Sequence, residues 1–168
     1  MSPASRIPEW AATAVGGHDV RATCVLELPA EAAERLVQAV GEGLARIGFT
    51  PLPLPEAAGD VVALQRGSRF GDLVLDGTSL GLRRIGPLTY RGVVLLERTP
   101  SAQGQRVVLS LVIGATVAPD FARVVDAAVT ALAEAGIPAE GPGWMRAVDV
   151  PEDSVGNPAT AVRELHVR

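Results

Sequence analysis

Residues 22–48 read ATCVLELPAEAAERLVQAVGEGLARIG, and this stretch decides the fold. An apolar run over 22–28 ends at Pro29, and apolar residues then recur with the period of an amphipathic helix. The pattern predicts a strand over 22–28 and a helix over 29–47 that ends before Gly48. The apolar stripe of this helix comprises Ala33, Leu36, Val37, Val40, Leu44 and Ile47.

A second segment follows the same pattern later in the chain. An apolar run over 106–113 precedes Pro119, and apolar residues then recur at helical spacing as far as Gly136. The two helical patterns superpose at an offset of 88 residues, at which Arg35 matches Arg123. An internal strand–helix duplication would produce this agreement, and so would two unrelated amphipathic helices in an alanine-rich chain.

The other apolar segments are short and are separated by glycine, proline and serine, as is typical of strands. Together with 22–28, the predicted strands are 61–65, 73–75, 90–98, 106–113 and 145–150. The order β-α-β-β-β-β-α-β predicts an α+β fold, a two-layer sandwich in which a mostly antiparallel sheet carries both helices on one face. A chain of 168 residues suits one domain. We predict that domain over 18–150, with an N-terminal arm over 1–17 and a C-terminal tail over 151–168.

Charge and hydropathy restrict where the protein acts. The net charge is −4 and the two signs are interspersed, which argues against a nucleic-acid partner. The apolar runs fall short of the ~20 residues of a membrane-spanning helix, and residues 1–10 lack the apolar core of a secretory signal. We therefore expect a cytoplasmic protein. Cys24 is the only cysteine and lies in an apolar strand, so we expect a buried, unreactive thiol.

The sequence lacks the residues on which several classes of enzyme depend. All fifteen basic residues are arginine, so neither a Schiff-base lysine nor a P-loop lysine is present. The sequence contains no G-x-S-x-G nucleophile elbow and no G-x-G-x-x-G dinucleotide loop after a strand. His18 and His166 are far apart and lack the spacing of metal ligands. We expect no catalytic residues, no metal and no cofactor.

An arginine-rich segment in the middle of the chain is a candidate anion site. Glycines flank the first part of it, where free backbone N–H groups and guanidinium forks suit a carboxylate or phosphate. The candidate ligand-binding residues are Arg66, Ser68, Arg69, Arg83 and Arg84. The alternative is that these arginines pair with nearby acids such as Asp72, Asp76 and Glu97 and keep an apolar protein soluble.

The predicted strands 90–98 and 106–113 contain segments, 93–96 and 107–113, that are apolar on both faces, whereas two helices bury only one face of a sheet. The other face can be covered by the arm, the tail and the 73–82 loops, by a second copy or another protein, or by an apolar small molecule. Our first hypothesis is a non-catalytic module that self-associates or docks a partner protein through this face. The alternative is a hydrophobic small-molecule-binding protein or small cavity enzyme. The candidate interface residues are Val94, Leu96, Leu109 and Leu111.

One segment resembles a known family. Val25-Leu26-Glu27-Leu28-Pro29, followed by an Ala/Glu-rich helix that ends at Gly48-Phe49, is similar to the first strand and helix of START-like lipid-binding and polyketide-cyclase proteins. The resemblance implies a cavity for a hydrophobic small molecule. It supplies no site residues for this chain.

Overall fold

A computed structural model describes residues 22–54, 60–67, 91–102, 104–146, 149–157 and 159–160. The predicted arm over 1–17 and the predicted strand over 73–75 lie outside these residues. The described elements are β1 (Ala22–Leu28), α1 (Ala30–Arg46), β2 (Thr50–Pro51), β3 (Val61–Arg66), β4 (Gly92–Ser101), β5 (Gly104–Ile113), a 3₁₀ turn (Ala115–Val117), α2 (Ala118–Glu134) and β6 (Glu140–Arg146). Of the helices in the described part of the chain, none is long and apolar enough to cross a membrane.

The described strands form one sheet in the order β2-β3-β4-β5-β1-β6, and every neighbouring pair is antiparallel. Both helices pack on the same face of the sheet. The predicted fold class, an α+β sandwich with the order β-α-β-β-β-β-α-β, is therefore confirmed. The two-residue strand β2 was not predicted, because so short a segment carries no periodicity.

The main core lies between the helices and the sheet. Leu36, Val40 and Leu44 of α1 and Phe121 and Val125 of α2 are fully buried, as their 3.6-residue spacing predicts. They meet alternate residues of the central strands: Cys24, Leu26 and Leu28 of β1, Val94 and Leu96 of β4, and Val107, Leu109 and Leu111 of β5. Because side chains alternate across a strand, the residues between these belong to the opposite face.

The two helices contact each other closely at a glycine. A Cβ added at Gly43 of α1 would lie 2.6 Å from the Val124 Cγ1 atom of α2, whereas a Cβ added at Gly41 would meet nothing within 4 Å. Gly43 therefore permits the close approach of the helices, and Gly41 only weakens α1 relative to alanine. Each helix has 17 residues. The internal duplication remains a hypothesis.

The last strand lies earlier in the chain than predicted. The sequence Gly141-Pro142-Gly143 is typical of a turn, so the strand was expected over 145–150, but β6 runs from Glu140 to Arg146 and contains both glycines. Gly141 has a φ of 107° and Gly143 a φ of 71°. A Cβ at Gly141 would lie 3.1 Å from the Val25 carbonyl oxygen. The glycines thus form an irregularity at which β6 pairs closely with β1.

Candidate ligand pocket on the second sheet face

The face of the sheet opposite the helices, here called the second face, carries both apolar and polar side chains. Its apolar residues form two buried clusters, one on β3, β4 and β5 and one on β1 and β5. The first cluster contains Ala63, Val93, Leu95 and Val112, and the second contains Val25 and Val108. Polar residues occupy other positions of the same alternation, namely Thr23, Glu27, Glu97, Arg106 and Ser110.

Residues 149–157, here called the covering segment, pack across the second face. Val155 joins the apolar cluster of β3, β4 and β5, and Val150 joins Val25 and Val108. Leu52 and Leu54, which follow β2, pack against the first of these clusters. The sequence allowed three ways to cover the second face, and the chain's own residues supply at least part of this cover. Most residues of the covering segment belong to the predicted tail over 151–168.

A glycine lets the covering segment approach the sheet. A Cβ added at Gly156 would lie 2.6 Å from Val108 Cγ1 and 2.7 Å from Ser110 Oγ. Real Cβ atoms do not approach other heavy atoms so closely, and both of these neighbours belong to a central strand. The covering segment therefore lies in direct contact with β5.

Hydrogen bonds to buried groups hold the covering segment in place. The Ser154 hydroxyl donates to Glu97 Oε2 at 2.5 Å, and the Val155 N–H donates to Glu97 Oε1 at 3.5 Å. The Asn157 side-chain amide donates to the Val150 carbonyl at 2.8 Å. Glu97 is only 6% exposed. A buried carboxylate requires such donors, so these bonds fix the segment to β4.

A second polar contact lies on the same face between β1 and β5. The hydroxyl oxygens of Thr23 and Ser110 are 3.0 Å apart, and both residues are fully buried. Thr23 and Ser110 occupy paired positions of the antiparallel ladder. The two hydroxyls therefore satisfy each other, which allows polar side chains in this layer.

A cavity of about 240 Å³ lies between the sheet and the covering segment. The sheet contributes Val25, Val108 and Met145, and the segment contributes Val150 and Pro151. The other described residues of the lining are Pro142 and the polar residues Glu27, Arg106, Asp149 and Ser154. The cavity thus has apolar walls and a few polar groups, which is the usual composition of a small-molecule site.

The charged side chains that the structure describes in the cavity are paired. Arg106 Nε donates to Glu27 Oε1 at 3.1 Å, between neighbouring positions of β5 and β1. Asp149 accepts two hydrogen bonds from Arg146, from Nε at 2.8 Å and from an Nη atom at 3.0 Å. The hydrogen bonds from Arg146 lower the pKa of the exposed Asp149 carboxyl below its ordinary value. Asp149 therefore stays ionised at the rim.

A second, more open cleft adjoins the cavity. It has a volume of about 400 Å³ and is lined by Glu27, Ser101, Ala102, Arg106, Glu140 and Gly141. Glu27 and Arg106 line both spaces, so this ion pair separates the cavity from the cleft. Glu27 Oε2 and Ser101 Oγ are enclosed and have no hydrogen-bond partner within the described part of the chain.

The predicted anion site is only partly described. Ser68, Arg69, Arg83 and Arg84 lie outside the described residues. Arg66 points toward the helices, where its Nη1 lies 3.5 Å from Asp120 Oδ2 of α2, and its side chain is 9% exposed. Arg66 is therefore paired with a partly buried carboxylate of α2, and it is not among the lining residues of the cavity.

The four predicted interface residues lie under the helices. Val94, Leu96, Leu109 and Leu111 are each at most 1% exposed and belong to the core between helices and sheet. Their neighbours Val93, Leu95, Val108 and Val112 form the second face instead. Both sets are apolar, so the alternation alone did not show which set the helices cover.

The residues of the cavity were not singled out from the sequence. Glu27 follows Thr23 and Val25 at every second position of β1, and this alternation was the available signal that the three share a face. Val150 and Ser154 carry no comparable signal, because the covering segment has no periodic pattern. No group of three or more potential metal ligands occurs among the residues that the structure describes.

Cys24 faces the helices and is fully buried. Burial raises the pKa of its thiol to about 12. A thiol with so high a pKa is neutral and is a poor nucleophile at physiological pH. The burial and the raised pKa agree with the expected unreactive thiol. Cys24 lies on the helix side of the sheet, away from the cavity.

Comparison of the chain with protein-family models, with curated proteins and with solved structures finds no match. The resemblance to START-like proteins therefore receives no support from these comparisons.

Proposed function

We propose that this protein is a non-catalytic module that binds a small amphiphilic molecule in the cavity between the second face and the covering segment. The observation that carries the proposal is the composition of the walls. Val25, Val108, Met145 and Val150 supply apolar surface, while Glu27 and Arg106 stand at one side as polar groups. Such a site binds by burying an apolar chain and by orienting one polar end.

The size of the cavity restricts the ligand. About 240 Å³ is below the ~300–1,000 Å³ that is usual for sites of drug-sized ligands. Burial of an apolar chain contributes roughly 25 cal/mol per Å² of surface removed from water. A short alkyl chain therefore gives modest affinity, and the polar end contributes the selectivity.

Self-association or docking of a partner protein through the second face is the competing hypothesis. It needs exposed apolar residues, because interfaces bury a contiguous apolar centre. Among the described residues, Val62 of β3 is the one large apolar side chain that is exposed. The second-face residues Val93, Leu95 and Val108 are already buried within the chain. For this reason the small-molecule proposal is the better supported of the two.

The test is isothermal titration calorimetry with three probes of equal chain length, namely 1-hexanol, hexanoate and hexylammonium. We expect at least one probe to bind at a 1:1 ratio. Met145→Trp, which fills the cavity, should abolish that binding. Val62→Trp, an equally large change at an exposed position, should leave it intact.

Binding of none of the three probes would contradict the proposal, as would equal binding by wild type and Met145→Trp. Light scattering addresses the competing hypothesis. A stable dimer that Met145→Glu converts to a folded monomer would favour self-association through this face.

A further inference from the structure

We infer that the polar end of the ligand is a primary ammonium group that donates a hydrogen bond to Glu27. This inference rests on the proposed function and names the chemical class of the ligand. It follows from four observations on Glu27 and its surroundings, which concern its unpartnered oxygen, its burial, the net charge of the lining and the position of the apolar wall.

The first observation is the unequal use of the two Glu27 oxygens. Oε1 accepts the hydrogen bond from Arg106 Nε at 3.1 Å, whereas Oε2 is enclosed and finds no partner in the described part of the chain. A buried acceptor without a donor is unfavourable, and for a charged group the cost is larger than for a neutral one. Within the described residues, this carboxylate therefore lacks one hydrogen-bond donor.

The Glu27 carboxylate can rotate about its terminal torsion without a change in the backbone of β1. Glu27 is among the residues that line the cavity and the adjoining cleft. The terminal torsion of a glutamate has broad, two-fold minima, so in this proposal the carboxylate rotates when the ligand binds and one of its oxygens faces the ligand. An ammonium group held there donates the missing hydrogen bond.

The second observation is that the negative charge is the more deeply buried of the pair. The Glu27 side chain is 18% exposed and the Arg106 side chain is 42% exposed. Water screens the guanidinium of Arg106 more than the carboxylate of Glu27. A ligand within the cavity therefore experiences the carboxylate more strongly than the arginine.

The third observation is the charge of the lining. Among the described residues, the cavity and the cleft together contain the acidic residues Glu27, Asp149 and Glu140 and the basic residue Arg106. Arg146 neutralises Asp149 through two hydrogen bonds. The remaining two carboxylates and one guanidinium leave an excess of negative charge, which attracts a cation and repels a carboxylate.

The fourth observation is the apolar wall next to Glu27. Val25 precedes Glu27 by two positions on the same face of β1, and Val108 follows Arg106 by two positions on β5. An alkyl chain attached to the ammonium would lie against these valines and against Met145 and Val150. The ligand class is therefore a short primary alkylammonium, which combines one cationic donor with one apolar chain.

A hydrogen bond to Oε2 distinguishes this class from cations in general. A primary ammonium has three N–H donors, whereas a quaternary ammonium of the same charge has none. Hexylammonium should therefore bind at least about tenfold more tightly than hexyltrimethylammonium and hexanoate in calorimetric titrations of the wild-type protein. This preference is measured without any variant, so it does not depend on the folding of a mutant.

Glu27→Gln then tests the residue. The variant should weaken hexylammonium binding about tenfold or more, and by a clearly larger factor than it weakens 1-hexanol binding, with circular dichroism checking that the fold is retained. The inference is overturned if hexanoate binds as tightly as hexylammonium, or if Glu27→Gln leaves the affinity for hexylammonium unchanged. In either case the proposed function still stands. Binding of none of these probes would overturn both.

Discussion

The hydroxyl of Ser154 donates a hydrogen bond to the buried carboxylate of Glu97, 57 positions earlier in the chain. This bond connects the covering segment to strand β4, and it lies beside the apolar contacts of Val155. The segment is thus part of the folded structure, because it supplies donors and apolar surface that the second face requires.

Ser154→Ala tests this connection. The change removes a donor from a buried carboxylate and an acceptor from the Gly156 N–H. We expect the free energy of unfolding to fall by about 1–3 kcal/mol, measured by urea denaturation. Thr130→Ala, which removes an exposed hydroxyl on α2, should change it by no more than about 0.5 kcal/mol. Equal stabilities of the two variants would contradict the assigned role of Ser154.

Gly156→Ala tests the close approach of the covering segment to β5. The new Cβ meets Val108 and Ser110, so we expect the free energy of unfolding to fall by about 1–3 kcal/mol. Val108→Ala removes the nearer obstacle. In a double-mutant cycle the two changes should therefore cost less together than the sum of their separate effects. Additive losses in the free energy of unfolding, or a Gly156→Ala variant as stable as the wild type, would show that the covering segment does not pack on β5.

Two glycines of α1, Gly41 and Gly43, provide a matched test of the contact between α1 and α2. Gly41→Ala should stabilise the protein by about 0.5–1 kcal/mol, because it restricts the unfolded chain and meets no neighbour. Gly43→Ala should instead lower stability by about 1 kcal/mol or more, because its methyl group meets Val124. Thermal and urea unfolding of both variants provide the comparison. A stabilising Gly43→Ala would contradict the close approach of α1 and α2.

Cys24 makes the stability depend on alkaline pH. Burial raises the pKa of its thiol from 9.0 to about 12, so between these values the folded state keeps a proton that the unfolded state releases. The free energy of unfolding should therefore fall as the pH rises above about 9, by at most about 1.4 kcal/mol per pH unit.

The matched control for this effect is Cys24→Ala. Its absolute stability is lower because it leaves a cavity, but its slope between pH 9 and pH 11 should be shallower than that of the wild type. Urea denaturation at several pH values measures both slopes. Equal slopes would mean that the thiol is accessible to water in the folded state.

The helices and central strands were predictable from sequence because their apolar residues recur with clear periods. Leu36, Val40 and Leu44 identify α1 in this way, and their burial confirms it. The position of β6 was not predictable from local sequence, because Gly141 and Gly143 are typical of a turn and adopt a strand only through their pairing with β1.

The candidate site was less predictable, for two physical reasons. Val93 and Val94 are both apolar, so the sequence showed that the sheet needs two covers without showing which residues face which cover. Val150 and Ser154 contact residues far away in the chain, and no local pattern records such contacts. Glu27 lies within an apolar strand, and only its alternation with Val25 indicates that the two share a face.

The most direct test of the proposed cavity is a ¹H–¹⁵N correlation spectrum of the full chain during titration with hexylammonium. We expect saturable shifts of the amides of Val25, Glu27, Val108 and Val150, which line the cavity, and unchanged amides at Gly43 and Val124 between the helices. Saturable shifts confined to the helices, or no shifts at millimolar probe, would contradict a binding cavity on the second face.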